Sequence, residues 1–135
     1  MKTTISKRFT FCAGHRLFNP ALSDERNLEI YGECSNPNGH GHNFILEVSL
    51  TGSVDPQTGM IMNLKHLKAL IESEIINKVD HKNLNLDVDF MTGVVPTTEM
   101  LAERIWTILD GKIGGNLLAK VVLWESENNR FEVSR

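Results

Sequence analysis

The stretch "TTISKRFTFCAGHRLF", residues 3–18, alternates between apolar and polar side chains, and this pattern predicts a long β-strand. Phe9, Phe11 and His15 have the same parity, so we expect them on one face of that strand. Residues 41–52, "GHNFILEVSLTG", predict a second strand that can pair with the first as a meander. His15 then lies at the far end of the first strand, beside the second.

Two helices are predicted further along the chain. Asn63 can cap the first helix, which extends to about Lys78 and carries an apolar stripe along one side. Thr97 or Thr98 can cap the second helix, because both side chains can accept a hydrogen bond from the first turn. Gly111 is expected to end it.

Two more strands are predicted at residues 118–126, "LAKVVLWES", and 130–135, "RFEVSR", paired across a turn. The element order is therefore ββααββ. This order predicts an α+β fold with an antiparallel four-stranded sheet and two helices on one face. The polar residues 19–40 are expected to form a long irregular loop. Residues 1–135 are predicted to form a single domain, and the uncovered sheet face and edges favour oligomerisation.

Composition excludes several classes of protein. The chain has 135 residues, of which 41% are apolar and 23% are charged, as in ordinary globular domains. No apolar run approaches the roughly 20 residues that a membrane span needs, and the N-terminus lacks the pattern of a signal peptide. The net charge of −3 argues against a nucleic-acid binder. With two cysteines and no export signal, we expect a cytoplasmic protein with reduced thiols.

A possible metal site begins with His40 and His42, which are two residues apart at the start of the second strand and so point to the same face. His15, on the neighbouring strand, can complete a set of three imidazoles. Three protein ligands that leave a fourth position open are typical of catalytic zinc. The alternative is that these are surface or turn histidines without a metal. His66 lies off the apolar stripe of its helix and is expected to be solvated.

The two cysteines have different surroundings. Cys34 lies in the polar segment "GECSNPNG", where it can be a fourth zinc ligand or a reactive thiol. The polar surroundings argue against a buried apolar filler. Cys12 has the opposite parity to His15, so it should face away from the metal and act as an apolar filler. Asp80 and His81 form either a solvated loop or a proton relay that activates a thiol.

The chain resembles one family closely: 6-pyruvoyl-tetrahydropterin synthase, with its relative 6-carboxytetrahydropterin synthase. The matching segments run in the family's order over almost the whole chain with very similar spacing. Gly14, Cys12 and Phe44 are mild departures from the residues common in the family. The segments are "FCAGHRL", "GECSNPNGHGHNF", "TGSVDPQTGMIMNL", "VDHKNLNLDV", "VVPTTEMLAERIW" and "VVLWESENN".

The resemblance implies the tunnelling fold (T-fold) and a homo-hexamer made of two trimers, with active sites between subunits. It also implies roles for ten residues. The metal ligands would be His15, His40 and His42 around Zn²⁺, the catalytic residues Cys34, Asp80 and His81, and the pterin-binding residues Glu125, Thr97, Thr98 and Glu99. The two threonines and Glu99 are explained equally well as the start of a helix.

The activity implied by the resemblance is that of a carbon–oxygen lyase of tetrahydrobiopterin synthesis. It converts 7,8-dihydroneopterin triphosphate to 6-pyruvoyl-tetrahydropterin and eliminates triphosphate. The alternative within the family is 6-carboxytetrahydropterin synthase, which serves queuosine synthesis; the insert "NPNG" before His40 favours the pyruvoyl-forming enzyme. A further alternative is a non-catalytic zinc- or pterin-binding module. Lys7, Arg8, Arg16 and Arg26 are candidates for holding the triphosphate.

Overall fold

A long antiparallel pair forms the centre of the sheet in a computed structural model that describes residues 1–135. Strand β1 spans Thr3–His15 and strand β2 spans His40–Gly52, and the pair remains in continuous register along its whole length. Phe11 lies opposite Phe44 and their rings stack at 4.9 Å. The alternation in both segments therefore predicted the strands correctly, and the same register places His15 opposite His40.

The sheet has five strands in the order β3-β1-β2-β4-β5. The two C-terminal strands, β4 at Leu118–Ser126 and β5 at Asn129–Ser134, lie close to their predicted limits. The additional strand, β3 at Lys82–Asn83, runs parallel to β1, so the prediction of four strands was one short. A two-residue strand cannot show alternation, and it forms only because β1 offers a free edge.

Four helices are present instead of two. They are α1 at Asp24–Tyr31, α2 at Leu64–Ile71, α3 at Asn77–Val79 and α4 at Thr98–Ile113. A π-helical turn at Glu72–Ile76 joins α2 to α3, so these two follow the course of the first predicted helix. Short 3₁₀ turns lie at Gly32–Ser35 and Asp89–Met91.

Two expectations about helix limits were wrong. Helix α4 continues through Gly111 to Ile113, and Gly114 caps it with a φ of +71°, in the left-handed region that favours glycine. Helix α1 lies inside the segment expected to be irregular. Ser23 caps it and Asn27 is its one buried residue, so α1 shows no apolar stripe that a periodicity argument could detect.

The core lies between one face of the sheet and the helices. It contains 20 buried residues, including Phe44, Leu67 and Leu101 from β2, α2 and α4. The opposite face is mainly polar. Between β1 and β2, the hydroxyl groups of Thr4 and Thr51 form a hydrogen bond, and so do those of Ser6 and Ser49, each at 2.7 Å. None of the helices has both the length and the apolar character needed to cross a lipid bilayer.

Candidate metal centre and active site

Three imidazoles converge where β1 ends and β2 begins. The ring centroids of His15 and His40 are 4.6 Å apart, those of His40 and His42 are 4.8 Å apart, and those of His15 and His42 are 5.2 Å apart. One ring nitrogen from each lies within 4.8 Å of the other two. The register of the two strands produces this cluster, because it sets His15 opposite His40 and the alternation returns His42 to the same face.

The chemistry of this cluster fits a divalent transition metal. Nδ1 of the buried His15 donates to the Pro96 carbonyl at 2.8 Å, so Nε2 carries the free lone pair. That Nε2 lies 3.1 Å from Nε2 of His40, a close approach that a shared cation or a shared proton satisfies. Burial lowers the pKa of His15, and burial also lowers the pKa of His42. Neutral imidazoles are the form that binds metals.

Gly39 allows the start of β2 to lie close to the end of β1, beside the three histidines. Its φ is +69°, and a Cβ at this position would lie 2.7 Å from the carbonyl oxygen of His15. Any side chain there would push β1 away from the start of β2. Gly39 was not among the predicted site residues, although it directly precedes the first of the two alternating histidines.

Cys34 lies beside the cluster of three histidines but is not part of it. It is half-buried in the 3₁₀ turn and lines a cavity together with Glu33, His40 and His42. The group of mutually close ligand atoms contains the three imidazoles and not the Cys34 sulfur. The Cys34 carbonyl accepts from the backbone N–H of Leu17 at 2.8 Å, which ties the turn to the end of β1.

Arg16 supports the same turn, a role that its prediction as a phosphate ligand did not include. Its Nε donates to the Ser35 carbonyl at 2.8 Å and its guanidinium lies 3.8 Å from the Phe18 ring centroid. The side chain of Asn85 pairs with the backbone of Arg16 in both directions, at 2.7 and 2.9 Å. No sequence signal linked residues so far apart.

Glu125 lies at the other side of the cluster, near the end of β4. Its Oε2 is 3.8 Å from Nε2 of His42 and accepts a hydrogen bond from the Thr98 hydroxyl at 2.6 Å. Its Oε1 accepts from Nδ2 of Asn129 at 3.3 Å. Each carboxylate oxygen can accept two hydrogen bonds, so both keep capacity for a ligand. The contact from Asn129 was not foreseen.

The start of α4 holds the neighbouring predicted residues. Thr97 is the N-cap, and its hydroxyl accepts from the backbone N–H of Met100 at 3.2 Å. Thr98 is buried and faces Glu125. Glu99 lies in the first turn and is exposed, which fits the helix-dipole explanation.

Asp80 and His81 lie with Cys12 and not in the cavity that Cys34 lines. Nδ1 of His81 is 3.0 Å from Oδ1 of Asp80, and that oxygen also accepts from the backbone N–H of Cys12 at 3.0 Å. Cys12 and His81 line a second cavity. Cys12 is half-buried and outside the core, so the expectation that it is an apolar filler was wrong.

His66 is exposed, as expected.

Two of the other basic residues considered for the triphosphate form ion pairs. Arg8 pairs with Glu47 at 3.3 Å and lies 4.9 Å from the ring centroid of Trp124. Arg26 pairs with Glu29 at 2.9 Å on the exposed side of α1. These contacts do not single out a residue for the triphosphate.

Comparisons with known proteins agree on the family. The family model described as 6-pyruvoyl tetrahydropterin synthase matches residues 4–135. The 6-pyruvoyl tetrahydrobiopterin synthase of Pongo abelii is 49% identical over 125 residues, which cover 93% of this chain and 86% of that protein. The solved 6-pyruvoyl tetrahydropterin synthase of Caenorhabditis elegans is 38% identical, with a TM-score of 0.93, and the match covers 100% of this chain and 96% of that one.

A member of the other branch is more distant. The 6-carboxy-5,6,7,8-tetrahydropterin synthase of Aquifex aeolicus is 29% identical over 162 residues, with 98% of each chain covered.

Proposed function

Since the chain belongs to the 6-pyruvoyl tetrahydropterin synthase family, we propose that it is a zinc-dependent lyase that forms 6-pyruvoyl-tetrahydropterin from 7,8-dihydroneopterin triphosphate. One observation carries the proposal: three imidazoles converge between a thiol-lined cavity and the carboxylate of Glu125. The higher identity to pyruvoyl-forming relatives than to the carboxy-forming one favours this product.

The proposed zinc ligands are His15, His40 and His42. Three neutral imidazoles leave the ion with its full positive charge and with an open coordination position. Bound there, zinc supplies Lewis acidity toward the hydroxyl-bearing side chain of the substrate. The Pro96 carbonyl contributes by fixing the tautomer and the orientation of His15.

Glu125 is the proposed anchor for the pterin ring. A carboxylate can accept two parallel N–H bonds from the guanidine-like edge of a pterin, which fixes the ring plane as well as its position. Thr98 and Asn129 each donate to one carboxylate oxygen, so they hold the group in one orientation before the substrate arrives. Orientation of this kind brings the reacting side chain to the metal side of the cavity.

Cys34 is the proposed general base, because it faces the same cavity as two zinc ligands. The thiol must lose its proton to act, and Asp80 with His81 are the proposed partners that pass protons. These two residues line or adjoin a different cavity of the chain. We therefore propose that the pair from one subunit serves the thiol of a neighbour in a hexamer built from two trimers.

The proposal includes a cytoplasmic location, since a thiol base requires a reduced cysteine. Both cysteines are free, which fits this requirement.

We also propose that residues 1–135 form one domain. Its single core cluster contains residues from the sheet and from α2 and α4.

The test is to incubate the purified zinc-loaded protein with 7,8-dihydroneopterin triphosphate and to identify the products by mass spectrometry. Release of triphosphate together with a 6-pyruvoyl product is expected. A 6-carboxy product would contradict the proposal in favour of the other branch of the family. Absence of turnover with fully loaded zinc would favour a binding module.

A further inference from the structure

Cys12, Asp80 and His81 form a second group of metal-ligating side chains, separate from the three histidines. One atom from each, the sulfur, a carboxylate oxygen and a ring nitrogen, lies within 4.8 Å of the other two. Cys12 has the opposite parity to His15 on β1, so the group lies on the other face of the strand. We propose that this trio binds a second, thiophilic divalent cation, and that filling it switches the proton relay off.

Two hydrogen bonds to the backbone of Cys12 assemble the trio. The N–H of Cys12 donates to Oδ1 of Asp80 at 3.0 Å, and the carbonyl of Cys12 accepts from the N–H of His81 at 2.7 Å. His81 adopts a φ of +61°, which is uncommon for a residue with a side chain. The Asp80 side chain and the His81 backbone are therefore both held by the backbone of Cys12, and the 3.0 Å contact between His81 and Asp80 completes the group.

The distances suit a metal after a small movement. Zinc bonds of about 2.3 Å to sulfur and about 2.1 Å to nitrogen allow ligand atoms to be at most about 4.4 Å apart. The His81 side chain is 79% exposed, so its ring can rotate toward the thiol. Cys12 and His81 also line a cavity, which provides space for an ion.

Charge favours the same conclusion. A thiolate, a carboxylate and a neutral imidazole together balance a divalent ion, whereas the three-histidine site leaves its ion with full charge. Binding releases the thiol proton to solvent, and the neutral imidazole shifts its single proton from Nδ1 to Nε2, which frees the Nδ1 lone pair to bind the ion. A thiolate ligand selects zinc or cadmium over magnesium or calcium.

Occupation of the trio has a functional consequence that rests on the proposed function. The 3.0 Å contact between Nδ1 of His81 and Oδ1 of Asp80 is the one through which the pair would share a proton. An ion between these atoms replaces that proton. The pair can then no longer pass protons to a thiol, so excess metal should inhibit turnover.

The first experiment counts zinc. Wild-type protein and the Cys12→Ser and Cys34→Ser variants are dialysed to equilibrium against buffered zinc, and metal per chain is measured by mass spectrometry. We expect two ions in the wild type and in Cys34→Ser, and one in Cys12→Ser. The ion retained by Cys12→Ser shows that this variant folds. One ion in the wild type, or two in Cys12→Ser, would overturn the proposal.

The second experiment identifies the ligand and the effect. Cadmium added to Cys34→Ser, whose only thiol is Cys12, should produce the ultraviolet charge-transfer band of a cadmium–thiolate bond. Excess zinc should lower wild-type turnover at least fivefold while Cys12→Ser keeps the rate that it shows with one equivalent. Equal inhibition of both proteins would overturn the regulatory role. Lack of any pyruvoyl product would refute the proposed function and leave the zinc count to decide the site.

Discussion

The hydroxyl of Thr98 donates a 2.6 Å hydrogen bond to Oε2 of Glu125, a residue 27 positions away on another element. Thr98 is the first residue of α4, and Glu125 lies near the end of β4. This contact therefore connects the start of the helix to the sheet beside the three histidines. The carboxylate is held from its other oxygen by Asn129. The acid that we propose as the pterin anchor is thus oriented before it binds anything.

Glu125→Gln should weaken substrate recognition without removing the metal. The neutral amide of glutamine has one acceptor oxygen, so it cannot accept the two N–H bonds that a carboxylate accepts. A hydrogen bond to a charged group contributes roughly 1.5–3 kcal/mol. We expect kcat/KM to fall about 10- to 150-fold, measured by initial rates, with zinc content unchanged. Glu47→Gln is the matched control, since Glu47 pairs with Arg8 on the opposite face of the sheet. An unchanged kcat/KM would contradict the anchoring role.

Cys34→Ala should keep zinc and lose turnover. The sulfur is not among the mutually close ligand atoms, so its loss leaves the three imidazoles in place. Removing a general base typically lowers the rate by about 10²–10⁴-fold. Zinc content and kcat are the two measurements. A variant that lost its zinc would show that the thiol is a structural ligand and would sink the catalytic role.

Cys34→Ala and His81→Ala should complement each other when their subunits are mixed. Each variant alone lacks one of the two side chains in every site, and we expect the thiol and the relay of one site to come from different subunits. Random hybrids then contain about a quarter of sites with both side chains intact. Activity of the mixture after dissociation and reassembly should approach that fraction of the wild-type rate. No recovery, in a mixture shown by native mass spectrometry to be hybrid, would place both residues in one subunit.

Gly39→Ala should destabilise the protein and weaken metal binding. The new Cβ would meet the His15 carbonyl oxygen at 2.7 Å, in addition to the cost of a left-handed φ. Backbone strain of this kind costs about 1–3 kcal/mol, and the clash adds to it. Gly59→Ala is the control, because Gly59 has a φ of +73° with open space around it. Urea unfolding should show a larger loss for Gly39→Ala; equal losses would mean that the clash relaxes freely.

The metal-free protein should lose stability as the pH falls below about 6.5. Burial lowers the folded-state pKa of His15 and of His42 below the ordinary value, so the unfolded chain binds more protons in this range. Stability is therefore complete above the unfolded pKa and declines toward the folded one. The midpoint of urea unfolding between pH 8 and pH 5 measures this. His15→Gln should flatten the slope, and an unchanged slope would exclude His15 as its source.

The strands and helix α4 could be predicted because the residues that each element buries recur in the sequence at the spacing of that element. Alternation in residues 3–18 and 41–52 predicted β1 and β2, and with them the approach of His15 to His40. Thr97 was recognisable as a cap because its side chain competes for backbone donors. Helix α1 and strand β3 escaped prediction, since one buries a single side chain and the other has two residues.

The strand period, the helix caps and the placement of two histidines on one face depend on neighbours along the chain, so they could be predicted from the order of residues alone. Folding of the whole chain was needed to bring Pro96 to His15, Thr98 to Glu125, and Asp80 with His81 to Cys12. These contacts join segments 27 to 81 residues apart. No local pattern encodes them, since packing of the whole core sets which distant groups meet.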